Sequence, residues 1–126
     1  MTSKNTLQGK NTCHFCMERN RFKYCELNAY YGGLLTKRQS EIFTLHYEED
    51  LSLSEISERL NITRQAVLDN LRHAENTLAN AEDVIKLVER DNKLRKQIIL
   101  LEEAVKNENK MKIQQIFSHI KKLMED

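Results

Sequence analysis

The fold is decided by residues 52–71, which read SLSEISERLNITRQAVLDNL. Ser52 and Glu55 match a capping box that opens a short helix, in which Ser57 is small enough for a second helix to cross closely. Asn61 stands where a tight turn needs a left-handed residue, and Thr63 then caps the second helix. The inward positions of that helix are Val67, Leu71, Ala74 and Leu78. This spacing predicts a helix-turn-helix unit rather than two ordinary helices joined at a sharp turn.

Another helix precedes this unit. Thr36 and Gln39 match a second capping box, and the helix that they open continues through Tyr47. Ile42 and Leu45, with Phe43 or His46 beside them, are predicted to form its buried side.

The N-terminal third contains a helix and a polar extension. Residues 19–31 have a helical pattern that ends at Gly32-Gly33, as a helix C-cap would. Residues 1–17 are polar and show no period, which is typical of a disordered extension. We therefore expect an extension over residues 1–17 and a helix-turn-helix domain over residues 18–79.

Residues 80–126 predict a C-terminal, coiled-coil-like helical region. One long helix is expected beyond Leu78, with apolar residues from Val84 to Val105 at alternating gaps of three and four. Asp91 occupies an a-type position, where a buried polar residue can fix pairing. Asn107 begins a break, and a last amphipathic helix follows it. This apolar row from Val84 to Val105, called the seam below, predicts a homodimer. It could equally fold back on the helix-turn-helix unit.

Composition agrees with an all-α protein. The chain has no proline and three glycines, and these are the residues that most often interrupt helices. Charged residues make up 31% and hydrophobic residues 40%, a composition that does not favour a large sheet core. No stretch is apolar enough for a membrane span or a signal peptide. Three cysteines, an odd number, are typical of a reducing compartment, so we expect a cytoplasmic protein.

The outward face of the second helix of the unit is the candidate binding site. In DNA-reading helix-turn-helix proteins, side chains near the start of this helix reach base edges. Arg pairs with guanine and Gln with adenine in two-point contacts, whereas later cations meet phosphates. The candidate nucleic-acid-binding residues are Arg64, Gln65, Asn70, Arg72 and His73. Leu68 and Asp69 share this face, and a solvated helix surface is the alternative interpretation.

Charge is unevenly distributed although the net charge is only +1. Residues 1–35 carry a net charge of +3, residues 36–78 carry −3, and residues 79–126 carry +1. The predicted reading unit is therefore the acidic part of the chain, which opposes attraction to phosphates.

The stretch from Leu35 to Leu78 resembles region four of bacterial sigma factors and, more closely, the YlxM family of helix-turn-helix proteins. The segments that carry the resemblance are YYGGLLTKRQ (Tyr30 to Gln39), YEEDLSLSEISE (Tyr47 to Glu58) and TRQAVLDNLRHAE (Thr63 to Glu75). The resemblance implies an all-α, sigma-region-four-like helix-turn-helix bundle with a long C-terminal helical tail.

The same resemblance implies a gene that lies beside those of the signal recognition particle GTPases. It therefore implies an accessory or regulatory role in the signal recognition particle pathway, with the GTPase or the RNA of the particle as partner. An acidic helix-turn-helix suits a basic protein better than bare duplex DNA. Two alternatives are a sequence-specific DNA-binding transcription regulator and an adaptor that mainly dimerises.

A metal site and catalysis have little support in the sequence. Cys13, His14 and Cys16 have a metal-like spacing, and Cys25 could add a third sulfur. A structural zinc site usually has two close pairs of ligands, and the sequence has no second pair. The scattered histidines have no nucleophile at a suitable spacing, and there is no glycine-rich phosphate loop. We expect no metal, no cofactor and no enzymatic activity.

Overall fold

The structure, a computed structural model, describes the backbone of residues 14–125 and the side chains of residues 20–125. Within these ranges the chain forms helices and no strands, so the predicted all-α class is confirmed. The helices are α1 (His14–Tyr31), α2 (Lys37–Phe43), α3 (Leu53–Leu60), α4 (Arg64–Ile85), α5 (Leu87–Lys106) and α6 (Lys110–Glu125). A 3-10 turn, Gly32–Leu34, follows α1, and a π-helical turn, Thr44–Glu48, extends α2.

Both predicted capping boxes are present. The backbone N–H of Gln39 donates to Thr36 Oγ1 (3.2 Å), and the Thr36 N–H donates to Gln39 Oε1 (3.1 Å). At α3 the Glu55 N–H donates to Ser52 Oγ (3.1 Å), and the Ser52 N–H donates to Glu55 Oε2 (3.4 Å). These bonds pair backbone donors that a helix start leaves without an intrahelical partner, and they fix where α2 and α3 begin.

The turn between α3 and α4 has the predicted geometry. Asn61 is left-handed, with φ 53° and ψ 48°, and the N–H of Ile62 closes the turn on the carbonyl of Ser57 (3.1 Å). The N–H of Ala66 donates to Thr63 Oγ1 (3.0 Å), so Thr63 is the predicted cap of α4. The sequence therefore places the two helices of the motif correctly.

One apolar core joins α2, α3 and α4. Its buried members are Ile42, Leu45, Ile56, Val67 and Leu71. Further along α4, Ala74 and Leu78 are also buried, so all four predicted inward positions of this helix are confirmed. Burial of one face of α4 leaves its opposite face for solvent or a partner.

Helix α1 packs against this unit through aromatic residues. Tyr31 is buried, and its hydroxyl donates to Glu82 Oε1 of α4 (2.7 Å). The ring of Tyr24 lies 5.6 Å from the ring of Tyr47 between their centroids. Phe22, in contrast, is 70% exposed.

Helix α1 begins at His14, five residues before the predicted start at Arg19. Residues 14–17, which the sequence assigned to the disordered extension, are therefore helical. No glycine or proline stands between Gly9 and Gly32 to end the helix earlier. The rest of the predicted extension, residues 1–13, lies outside the described residues.

The predicted single long helix beyond Leu78 is wrong, because Lys86 interrupts it. Lys86 is left-handed, with φ 58° and ψ 33°, and serves as the N-cap of α5 without a side-chain capping bond. Val84, the first residue of the predicted seam, therefore belongs to α4 and not to the helix that carries the rest of the seam.

Helices α5 and α6 form an antiparallel hairpin. The predicted break at Asn107 is confirmed, since residues 107–109 form the turn and the Asn109 N–H donates to the carbonyl of Ala104 (3.0 Å). At the open end, Arg90 Nη2 donates to the carbonyl of Met124 (3.4 Å). Ala104 and Ile116 are buried, whereas the seam residue Val105 stays exposed.

The chain divides into two compact units. The first ends at Val84 and the second begins at Ile85, whereas the sequence placed a boundary after residue 79. The first unit holds the helix-turn-helix, and the second is the hairpin of α5 and α6.

Candidate nucleic-acid interface

The outward face of α4 is positioned by the cap at Thr63 and by the buried stripe on the other side of the helix. Arg64 is the first residue of α4 and is exposed. Arg72 and His73 are exposed two turns later. Within the part of the chain that the structure describes, these three side chains make no hydrogen bond or ion pair. They are available to a partner.

Two of the predicted site residues already have partners inside α4. Gln65 Nε2 donates to Asp69 Oδ1 (2.9 Å), which ties the predicted adenine-reading amide to a carboxylate. Asn70 is half-buried, and its Nδ2 donates to the carbonyl of Ala66 (2.8 Å). Asn70 thus supports its own helix. Gln65 and Arg72 share the outward face, whereas Arg64 lies in the first turn of α4, about 100° around the helix from Gln65.

Asp69 lies near the centre of this face. At 100° per residue, Gln65, Asp69 and Arg72 project in nearly the same direction, opposite to Val67 and Leu71. A carboxylate between Gln65, which was predicted to read a base, and Arg72, which was predicted to meet a phosphate, repels phosphates, so the face is poorly suited to the backbone contacts on which duplex binding depends.

The surroundings of α4 are acidic as well. Residues 36–84 contain five Lys/Arg and ten Asp/Glu. Two of the five cations are paired with glutamates: Arg38 Nη1 lies 3.2 Å from Glu41 Oε2, and Arg59 Nη1 lies 3.0 Å from Glu49 Oε2. The acidic balance is visible in the sequence, but the pairing of the two arginines is visible only in the structure.

A basic cleft lies on the hairpin, where the sequence analysis placed no site. Its lining includes the apolar Leu100 and Ile116, together with His119, three lysines and one glutamate: Lys112, Lys121, Lys122 and Glu125. Residues 85–126 carry a net charge of +3. The spacing of Lys112, His119 and Lys122 along one side of α6 was a signal in the sequence that could have indicated this surface.

Titratable groups between α1, the π-helical turn and α4 have structural roles. Tyr47 Oη donates to Glu75 Oε1 (2.6 Å), and burial together with this bond raises the pKa of Tyr47 far above its ordinary value. Burial, with a smaller effect of Glu48, raises the pKa of the Cys25 thiol. The raised pKa favours the protonated thiol, which is a poor nucleophile and metal ligand.

The metal-like spacing of Cys13, His14 and Cys16 lies outside the described side chains. Among residues 20–125, no group of three or more potential metal ligands converges on one point. Within the same stretch, no helix combines the length and the apolar character that crossing a membrane requires.

A family model spans both units. The model described as "Putative helix-turn-helix protein, YlxM / p13 like" matches residues 18–124. The chain belongs to this family. The match extends beyond the helix-turn-helix unit through α5 and nearly all of α6, so the hairpin is part of what the family shares.

Relatives within this family are similar over most of their length. A UPF0122 protein of Desulforamulus reducens is 51% identical over 73 residues, which are 58% of this chain and 62% of that protein. A relative from Caldanaerobacter subterraneus is 43% identical over 79 residues, covering 63% of this chain and 68% of its own. One from Fusobacterium nucleatum is 39% identical over 83 residues, covering 66% and 81%. The chain thus spans slightly less than two thirds of the Desulforamulus protein.

Proposed function

We propose that this protein is a helix-turn-helix accessory or regulatory protein of the signal recognition particle pathway, and that it binds the GTPase or the RNA of the particle. The pathway comes from the resemblance to the YlxM family. The observation that favours these partners over bare duplex DNA is the acidic helix-turn-helix unit, with ten Asp/Glu against five Lys/Arg over residues 36–84.

The acidic unit supports the protein partner. Glu55 and Glu58 are exposed on α3, and Glu48 is exposed at the end of the preceding π-helical turn. Opposite charges across an interface accelerate association and select the partner. A basic surface on the GTPase would meet these carboxylates without displacing the packed core beneath them.

The hairpin supports the RNA partner. Lys112 and Lys122 border the basic cleft and make no ion pair with another described residue. When lysines neutralise phosphates, the affinity falls as the salt concentration rises. Each contact adds about one unit to the slope of the logarithm of the affinity against the logarithm of the salt concentration.

Binding of the full chain to the purified GTPase, to the particle's RNA and to duplex DNA, each at two salt concentrations, tests the proposal. Glu58→Lys is expected to weaken binding of the GTPase about three- to tenfold, because it reverses an exposed charge on the acidic surface. Glu103→Lys makes the same charge change on the hairpin and is expected to leave that affinity within about twofold. Binding of duplex DNA alone, with neither the GTPase nor the RNA bound, would refute the proposal.

A sequence-specific transcription regulator is the second candidate function. Arg64 and Arg72 favour it, because both are exposed on α4 and unpaired among the described residues. If it is correct, Arg64→Ala with Arg72→Ala weakens binding of the protein's own upstream DNA about tenfold or more. The matched control, Arg95→Ala with Lys96→Ala, removes the same charge from the hairpin and should change binding much less. Equal losses in both variants would indicate only non-specific attraction.

A further inference from the structure

The hairpin leaves much of its apolar surface uncovered. In the described residues 85–125, the buried apolar side chains are Val88, Ala104 and Ile116. The exposed large ones are Ile85, Leu87, Ile98, Ile99, Leu100, Val105, Met111, Phe117 and Met124. A unit of two helices and about 40 residues buries too little surface to be stable alone, and association with another chain is a common remedy.

Each helix of the hairpin carries the same apolar pattern. On α5, Leu94 and Leu101 are half-buried, whereas Ile98 and Val105 are 50% and 56% exposed. On α6 the gaps of four, three and four recur. Ile113 and Ile120 are half-buried there, and Phe117 and Met124 are 50% and 64% exposed. Each helix thus has one row of apolar side chains that packs inside the hairpin and a second, exposed row of apolar side chains next to the first.

The two exposed rows lie on one side of the hairpin. Seen along its own axis, each helix has its exposed pair about a fifth of a turn around from the residues that face the other helix. The sense of this rotation is the same in both helices. In an antiparallel pair, equal rotations in the same sense bring both rows to one flank. The turn at residues 107–109 sets the register, so that Ile98 and Phe117 lie at nearly the same height, and the bond from Arg90 to the carbonyl of Met124 agrees with it. The result is a continuous apolar flank.

We propose that this flank, formed by Ile98, Val105, Phe117 and Met124, binds the same flank of a second copy, so that two hairpins form a four-helix bundle. A two-fold axis parallel to the helices places α5 of one copy against α6 of the other. Ile98 of each copy then faces Phe117 of the partner copy, and every neighbouring pair of helices is antiparallel.

Charge at the edges of the flank fits a second copy. The α5 edge carries Asp91, Arg95 and Glu102, and the α6 edge carries Lys110 and Lys121. The same register brings Glu102 of one copy near Lys110 of the other. The symmetry makes this opposite-charge pair twice, whereas an unrelated partner helix would have no built-in match.

The dimer is tested by sedimentation equilibrium of the full chain. We expect twice the mass of one chain, and a monomer for Ile98→Lys with Phe117→Lys. The matched control, Ile99→Lys with Met111→Lys, places the same charges on exposed apolar positions off the flank and should remain a dimer. Far-UV circular dichroism must show that all the variants keep their helix content. A wild-type monomer at about 100 μM, or a dimer that survives Ile98→Lys with Phe117→Lys, would overturn the proposal.

A charge exchange tests the arrangement without changing the apolar flank. Glu102→Lys alone is expected to raise the dimer dissociation constant about fivefold, because it places lysines of the two copies together. Adding Lys110→Glu to the same chain should restore the wild-type constant. Failure of this rescue would exclude the α5-to-α6 arrangement, and recovery would support it.

Discussion

Replacing Phe43 with alanine is expected to lower the free energy of unfolding by about 3–5 kcal/mol. Phe43 is fully buried, and its ring centroid lies 4.5 Å from that of Tyr47. The loss combines the transfer free energy of the ring with the cavity that remains, since the capped start of α2 limits how far the helix can move to fill it. Urea unfolding at one fixed protein concentration, followed by circular dichroism, measures the change.

Phe22→Ala is the matched control for this variant. Phe22 is 70% exposed on α1, so its removal is expected to change the free energy of unfolding by no more than about 0.5 kcal/mol. Similar losses at the two positions would mean that Phe43 is not packed in the core.

Replacing Tyr47 with phenylalanine is expected to lower the free energy of unfolding by about 1.5 kcal/mol. The hydroxyl of Tyr47 donates to Glu75 Oε1 (2.6 Å), and phenylalanine keeps the ring but leaves this half-buried carboxylate without its donor. Tyr24→Phe is the control, because the Tyr24 hydroxyl makes no hydrogen bond within the described part of the chain. The prediction fails if both variants lose the same stability in urea.

The same tyrosine gives a pH test. Burial and the Glu75 carboxylate raise the pKa of Tyr47, so above about pH 10 the unfolded chain loses this proton while the folded chain keeps it. The stabilisation from Tyr47 is therefore complete below pH 10 and is lost as pH rises further. The wild type should lose stability above pH 10 more steeply than Tyr47→Phe, by at most about 1.4 kcal/mol per pH unit. Parallel curves for the two proteins would contradict this.

The start of each helix in the first unit could be predicted because its signals are local. A capping box joins residues three positions apart, as Ser52 and Glu55 do, and so it is visible in the sequence itself. Asn61 is equally local, since few other residues adopt a left-handed turn at low cost. The four inward positions of α4 followed from the helical period alone.

The break at Lys86 could not be predicted in this way. Lysine is a good helix former, and no glycine, proline or capping side chain marks the position. The apolar seam from Leu87 to Val105 is present in the sequence, but its period does not say which side α6 will cover. The turn at residues 107–109 determines which side of α5 contacts α6, because it sets how α6 returns along α5.

The candidate site was predicted in part. The exposure of Arg72 followed from the position of the buried stripe, and that of Arg64 from its place in the first turn of α4. The bond from Asn70 to the carbonyl of Ala66 was not anticipated, because an asparagine near the edge of a helix face can turn either to solvent or to its own backbone. The bond between Gln65 and Asp69 has the usual spacing of four residues, but its competition with base recognition appears only when both side chains are placed.

Asp69, in the middle of the exposed face of α4, also affects how strongly chromosomal DNA competes for the protein. A genome offers about 10⁶–10⁹ non-specific sites, and even weak attraction to each of them sequesters a basic protein. A carboxylate at the centre of the face, within a stretch (residues 36–84) that has twice as many acids as bases, opposes that attraction. The chromosome is therefore a weak competitor for this face of the protein.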